Sequence, residues 1–172
     1  MRNVKLPSDF GDGATSNDAR RLGMDAARAP KLLGMATKAY QRQKLDMAYD
    51  AAFLAVSCDR HLLDGWLLLG GICANLEAYA EAQECFRTVL TAQPDHLGAY
   101  AALGEVSIAL KDFSGATQAL QKVVQLDPHG KNEASLRARM LLVSRGQWKL
   151  GLQALSAMTQ LAQKAQQAQA KK

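Results

Sequence analysis

Three histidines recur along the chain at nearly regular intervals and could, by their residue type, bind a metal ion. His61, His96 and His129 are separated by 35 and 33 residues. A protein metal site combines such histidines with Cys, Asp or Glu at short local spacings, and the sequence places no ligand triplet of that kind beside any of them. We therefore predict that these histidines lie on junction surfaces, and that the protein holds no metal and no other cofactor.

The three cysteines, Cys58, Cys73 and Cys85, are the other candidates for reactive side chains. Their number is odd, none has a C-x-x-C partner, and each falls within a helical pattern. Such cysteines are usually buried thiols of a cytoplasmic protein. The first twelve residues lack the apolar segment of a secretory signal, because Asp9 and Asp12 interrupt them. We predict buried, reduced thiols and a cytoplasmic location.

Enzyme motifs are missing from the sequence. It contains no phosphate-binding G-x-x-x-x-G-K-[ST], no G-x-S-x-G and no H-E-x-x-H. The Gly70-Gly71 pair is predicted inside a helix, where it serves packing. Glu77, Glu81 and Glu84 indicate a solvated helix face, from which no acid/base pair can be argued. We predict that the protein is not an enzyme.

The composition favours helices. Hydrophobic residues make up 48% of the 172 residues and aromatic residues only 6%, so the apolar surplus is Ala and Leu, which are strong helix formers. Strand-like runs are missing. The longest apolar run, residues 66–74, is too short to span a bilayer. These features predict an all-α domain without membrane insertion.

A 34-residue internal repeat organises the chain. Eight positions keep their chemical type at this offset, and the pairs are Trp66/Tyr100, Leu69/Leu103, Gly70/Gly104, Tyr79/Phe113, Ala82/Ala116, Phe86/Leu120, Val89/Val123 and Pro94/Pro128. Gly70 and Ala82 are small where two helices would cross closely, and Trp66 and Phe86 would fill the space beside the crossing. Pro94 would end the second helix.

These residues resemble the tetratricopeptide repeat (TPR), whose pattern places W-x-x-L-G before a small Ala, an aromatic residue and Pro. Cys73 and Ser107 depart from it by replacing a usual Tyr. The resemblance implies an all-α, right-handed solenoid of about three repeats. Three divisions are predicted: an N-terminal segment 1–28, a TPR domain 29–165 and a polar basic tail 166–172. The N-terminal segment is expected to be partly disordered and could form a short helix. Within the TPR domain the divisions are repeats 29–62, 63–96 and 97–130 and a degenerate capping hairpin 132–165.

The fourth unit is shifted by one residue relative to the repeat. Gly146, Trp148 and Gly151 stand 35 residues after Lys111, Phe113 and Ala116, and the Leu-Gly pair is lost. Terminal repeats are expected to be atypical because they cap the stack.

In TPR proteins the first helix of each unit lines an inner groove. Carried over by position, the predicted partner-binding residues are Leu33, Thr37, Tyr40, Asp64, Leu67, Gly71, Ala74, Asn75, Ala101, Glu105 and Ile108. Most are small or apolar, which suits an extended or helical partner segment with apolar anchors. We expect Leu67 and Ile108 to project into the groove, with Ala74 and Ala101 forming shallow pockets. The alternative is that some of these residues pack against the N-terminal segment.

Two closer comparisons narrow the function that the resemblance implies. Some TPR proteins grip a C-terminal carboxylate with Lys and Asn, but the matching places here hold Leu33, Thr37, Leu67 and Glu105, which argues against a heat-shock co-chaperone. The runs A-x-x-x-Y at 36–40, F-L-A-V-S-C-D at 53–59 and L-G-G-I-C at 69–73 resemble bacterial type III secretion chaperones for translocator proteins. That family implies a cytoplasmic virulence-related chaperone of a secreted partner, which could dimerise through its N-terminal segment.

Two other functions stay open from the sequence. The first is a TPR assembly scaffold or regulatory subunit of a secretion or pilus machine. The second is contact with nucleic acid, because residues 129–172 carry eight basic groups and one acidic group, including Arg137, Arg139, Arg145 and Lys149. A basic patch alone gives salt-sensitive, non-specific affinity, so we expect nucleic acid not to be the partner.

Overall fold

The computed structural model describes residues 25–144, and this part of the chain consists of helices. A short 3-10 helix precedes seven α-helices, and no strand occurs between residues 25 and 144. The helices are the 3-10 helix Ala26–Arg28, α1 Ala29–Gln41, α2 Leu45–Cys58, α3 Leu63–Asn75, α4 Tyr79–Ala92, α5 Leu97–Ala109, α6 Phe113–Leu126 and α7 Glu133–Ser144. The predicted all-α class is confirmed. The expectations for residues 1–24, for the second half of the capping hairpin and for the tail lie outside the described residues.

The same three-residue turn joins α1 to α2, α3 to α4, and α5 to α6. Its middle residue is left-handed, with φ of 59°, 61° and 62° at Gln43, Glu77 and Lys111. In each turn the next backbone N–H donates to the carbonyl five residues earlier, at 3.0, 2.9 and 2.9 Å, which satisfies a carbonyl at the helix end. Because the three residues are 34 apart, the backbone repeats with the same period as the sequence.

The chain divides into two compact units, Met1–Pro94 and Asp95–Lys172. In the first unit, α1 packs on α2, α2 on α3 and α3 on α4. Gly70 is buried in α3, and a Cβ atom there would lie 2.6 Å from Cε1 of Phe86 on α4. The helices therefore approach closely where the repeat predicted a crossing. Trp66 is also buried, and its Nε1 donates to the carbonyl of Arg60 at 2.9 Å.

In the second unit, α6 packs on α5, and α7 contacts both of them. A Cβ at Gly104 would lie 2.6 Å from Cδ2 of Leu120, so the close crossing of the first unit recurs here. The core of this unit comprises Ala101, Leu120, Val123, Ala138 and Leu142. Its last two members belong to α7, which is therefore an integral part of the second unit.

Arg139 on α7 is buried, so the expectation that it belongs to a basic contact surface is wrong. Its side chain is 1% exposed, and its Nη2 donates to the carbonyls of Asp127 at 2.7 Å and Pro128 at 2.9 Å. Its Nη1 also donates to the carbonyl and the hydroxyl of Ser135. The guanidinium thus satisfies carbonyls at the end of α6, a role that a count of charges does not reveal.

The carboxylate of Asp127 completes this junction between α6 and α7. Burial opposes its ionisation, but hydrogen bonds from the backbone N–H groups of Asn132, Lys131 and Gly130, together with nearby Arg139, lower its pKa overall. The bond from Asn132 N–H to Oδ2 measures 2.8 Å. In Arg139, burial lowers the pKa and Asp127 opposes this shift.

Residues 25–144 contain neither a membrane-spanning helix nor a metal-binding cluster. No helix in this stretch has both the length and the apolar character required to cross a bilayer. Likewise, this stretch contains no cluster of three or more His, Cys, Asp or Glu side chains able to hold a metal ion.

Candidate partner-binding site

The predicted groove residues of the first unit lie on α1 and α3, which contact each other. The members on α1 are Leu33, Thr37 and Tyr40, and those on α3 are Asp64, Leu67, Gly71, Ala74 and Asn75. Asp64 and Asn75 are exposed, and the other six are half-buried. We call this set the α1/α3 surface. Half-buried apolar side chains support the fold from one side and leave the other side open to contact.

A hydrogen bond between two of these side chains links the helices. Asn75 Nδ2 donates to Oη of Tyr40 at 2.6 Å. Gly71 adjoins this bond, since a Cβ at this position would lie 4.0 Å from Oη, an ordinary contact distance. The positions carried over from the TPR resemblance include Tyr40, Gly71 and Asn75, and these three residues lie close together in the structure.

The remaining polar groups define what the α1/α3 surface can recognise. Thr37 Oγ1 donates to the carbonyl of Leu33 at 2.9 Å, so its hydroxyl is occupied within its own helix. A side-chain amide has two N–H donors and one acceptor, and Tyr40 is the one hydrogen-bond partner of the Asn75 amide in the described part of the chain. Asn75 therefore retains a donor and an acceptor suited to a peptide backbone, on the same helix as the apolar side chain of Leu67.

The predicted site residues of the second unit behave differently. Ala101 is 3% exposed and packs in the core with Ala138 and Leu142 of α7, so the expectation that it forms an open shallow pocket is wrong. Glu105 is half-buried, and its Oε1 lies 3.4 Å from Nη1 of Arg137. Ile108 is half-buried and lines a pocket. Ala101 has a position in the repeat that is typical of a groove, and the sequence does not show that α7 covers it.

The pocket beside Ile108 was not anticipated from the sequence. It has a volume of about 520 Å³ and is also lined by Phe113 and Leu120 of α6 and Leu141 of α7. Phe113 is 51% exposed. The signal that could have revealed the pocket is Phe113, a large apolar residue at the start of a second helix.

The three cysteines lie buried or half-buried in the described helices. Cys73 and Cys85 are fully buried, as predicted, and Cys58 is half-buried. A hydrogen bond with Cys73, together with burial, raises the pKa of Cys85. Burial also raises the pKa of Cys58, although Arg28 opposes the shift. A raised pKa keeps a thiol protonated, and the protonated thiol is the unreactive form.

Comparison with known proteins defines the class of fold. Residues 76–140 match the sequence profile of the tetratricopeptide repeat family, and no curated protein sequence matches the chain. Similar solved structures include that of MamA, with 18% identity, a TM-score of 0.68 and coverage of 93% of this chain and 92% of that one. YrrB, a TPR protein with an unusual peptide-binding site, has 22% identity, a TM-score of 0.63 and coverage of 86% and 74%.

A further similar structure is the first TPR domain of Spaghetti (RPAP3), which was solved with a bound HSP90 peptide, SRMEEVD. Its identity is 19% and its TM-score 0.61, and the alignment covers 77% of this chain and 96% of that one. At these identities the likeness establishes the fold. The protein thus has an all-α fold of the TPR solenoid type, the class that its sequence predicted.

Proposed function

We propose that this protein is a chaperone that holds an apolar segment of a secreted partner protein on the α1/α3 surface. The observation that carries the proposal is the Tyr40–Asn75 hydrogen bond across Gly71, with half-buried Leu33, Leu67 and Ala74 on the same two helices. Protein binding is the general role of this class of fold, and similar structures include peptide-binding TPR proteins.

The residues suggest how a partner segment would be held. Leu67 and Leu33 would contact apolar side chains of the partner, and each 100 Å² of apolar surface removed from water would contribute about 2.5 kcal/mol before ordering costs. The free donor and acceptor of Asn75 would bond to the partner's backbone and fix its register. Tyr40 would hold the amide in place for this contact.

The secretion role is the finer part of the proposal. Its support is the likeness of residues 36–40, 53–59 and 69–73 to type III secretion chaperones, and these runs include Tyr40 and Gly71 of the α1/α3 surface. A chaperone of this kind shields apolar segments of its partner until export, which requires a contact surface that is open and only partly polar.

The test is to purify the tagged protein from its source organism, identify the co-purifying protein by mass spectrometry, and measure its affinity for defined variants. Leu67→Glu places a charge where the partner must be desolvated, so we expect affinity to fall at least tenfold, or about 1.4 kcal/mol. Asn75→Ala should weaken binding less, because it removes hydrogen bonds alone. Thr88→Glu on α4, at an exposed position outside the α1/α3 surface, is the matched control.

The outcomes separate the two parts of the proposal. Unchanged affinity in Leu67→Glu, with native circular dichroism, would refute the α1/α3 surface as the binding site. Binding that depends on Leu67 but involves a partner that is never exported would leave a protein-binding module and refute the secretion role.

A further inference from the structure

Helix α7 stands in the chain where a further helix pair would begin. In the first unit, α3 contacts both α1 and α2, and it is followed by its own second helix, α4. In the second unit, α7 contacts both α5 and α6 in the corresponding way. The described residues end with Ser144, so they contain no second helix for α7.

The surface around this position is apolar. The 520 Å³ pocket opens between α5, α6 and α7, where Ile108, Phe113 and Leu141 line it. Of the six large hydrophobic side chains that are exposed within residues 25–144, four belong to this unit, and they are Leu110, Phe113, Leu136 and Met140. Met140 is 71% exposed. Of these four, Phe113 lines the pocket beside half-buried Ile108 and Leu141. Large apolar side chains left open in this way indicate a surface that another segment covers.

The sequence after α7 repeats the features of the described turns. In each of these turns the left-handed residue comes two positions after the first helix ends, and the second helix begins two positions later. Gly146 and Trp148 stand 35 residues after Lys111, the left-handed residue of the last described turn, and Phe113, the first residue of α6. Glycine adopts the left-handed conformation without steric cost, and the second helices of the described pairs also begin with large apolar residues, at Leu45, Tyr79 and Phe113.

The spacing of residues after Trp148 also agrees with that in the second helices α2, α4 and α6. Gly151 follows Trp148 by three positions, as the small residues Ala48, Ala82 and Ala116 follow the starts of α2, α4 and α6. Leu152 and Leu155 stand four and seven positions after Trp148, which places all three on one face of a helix. The segment therefore has the small residue for a close crossing and the large residues to fill the space beside it.

From these observations we infer that the pocket of the second unit is a docking site for the chain's own residues 148–161, here called the cap segment. Trp148, Leu152 and Leu155 would contact Ile108, Phe113 and Leu141, and the segment would serve as the second helix of the pair that α7 begins. The occupant is thus intramolecular, and the pocket is not a second site for the secreted partner.

Tryptophan fluorescence tests this inference in the full chain, which contains only two tryptophans, Trp66 and Trp148. In a Trp66→Phe background, docked Trp148 should emit at shorter wavelength than free tryptophan and resist quenching by iodide. Should Trp66→Phe disturb the fold, subtracting the spectrum of Trp148→Phe from that of the intact protein gives the same signal. Phe113→Glu should shift the emission to longer wavelength and raise quenching several-fold. Gln125→Glu, at an exposed position on the same helix outside the pocket lining, should change neither.

Each outcome either supports or refutes docking of the cap segment in the pocket of its own chain. A blue-shifted, protected Trp148 that responds to Phe113→Glu and not to protein concentration supports docking within one chain. Water-like emission in the intact protein would overturn it and leave the pocket open to a partner. Protection that disappears on dilution would also overturn it, because the cap segment would then come from a second copy of the chain.

Discussion

Replacing Gly70 by alanine tests the close crossing of α3 and α4 in the first unit. The added Cβ would lie 2.6 Å from Cε1 and 2.9 Å from Cζ of Phe86, a contact too short to persist without movement of the ring or the helix. Such overpacking costs roughly 1–3 kcal/mol. Alanine in a helix interior gains about 0.5–1 kcal/mol over glycine. The net expectation for Gly70→Ala is a loss of up to about 2 kcal/mol in the free energy of unfolding.

Two reference variants separate the steric cost from the helix propensity. Gly34 lies exposed in α1, and a Cβ there meets no atom within 4 Å, so Gly34→Ala should stabilise the protein by about 0.5–1 kcal/mol. Phe86→Val removes the ring atoms that the new Cβ would meet, at a cost of about 2–4 kcal/mol. In that background Gly70→Ala should also stabilise, so the sign of its effect reverses.

Urea unfolding provides the assay, followed through the fluorescence of buried Trp66 on the same helix. The coupling between Gly70→Ala and Phe86→Val should be about 1–3 kcal/mol. If Gly70→Ala and Gly34→Ala stabilise the protein equally, or if the coupling is absent, the close packing of glycine against phenylalanine is refuted.

Three further predictions use other features of the described chain. Glu77→Gly should raise the free energy of unfolding by about 0.5–1 kcal/mol in urea titrations, because glycine relieves a left-handed φ of 61°. The folded-state pKa of Asp127 lies below its unfolded value, so its carboxylate stabilises the protein above about pH 4 and this contribution disappears as pH falls through the folded pKa. Asp127→Asn should therefore be less stable than the parent at neutral pH and lose less stability on acidification. A bulky maleimide should label half-buried Cys58 well before buried Cys73 in native protein, as read by peptide mass spectrometry.

The packing of the repeats was predictable because it depends on residue size. Gly70 and Phe86 each have a counterpart 34 residues later, Gly104 and Leu120, and in both pairs the missing side chain of glycine accommodates the larger residue. A fixed offset between small and large residues is visible in a sequence, and two helices can satisfy it only by crossing closely.

The features that sequence reasoning missed depend on neighbours in space. Arg139 looked like part of a basic surface because the sequence cannot show that carbonyls at the end of α6 surround it. Ala101 occupied a position typical of a groove, but α7 covers it. The left-handed turn residues also gave no signal, since Gln43 and Lys111 are not types that prefer this conformation.

The connections in the described part of the chain differ in length and in how they would respond to inserted residues. Turns 42–44, 76–78 and 110–112 all have three residues, one left-handed φ and the same backbone hydrogen bond from their third residue. One additional residue there would change the phase of the following helix by about 100° and turn its apolar face away from its partner. The connection 127–132 is longer, and the backbone N–H groups of Gly130, Lys131 and Asn132 bond to the carboxylate of Asp127 at its start. An insertion at 129–131 would therefore separate that carboxylate from its donors, so this connection also resists added residues despite its greater length.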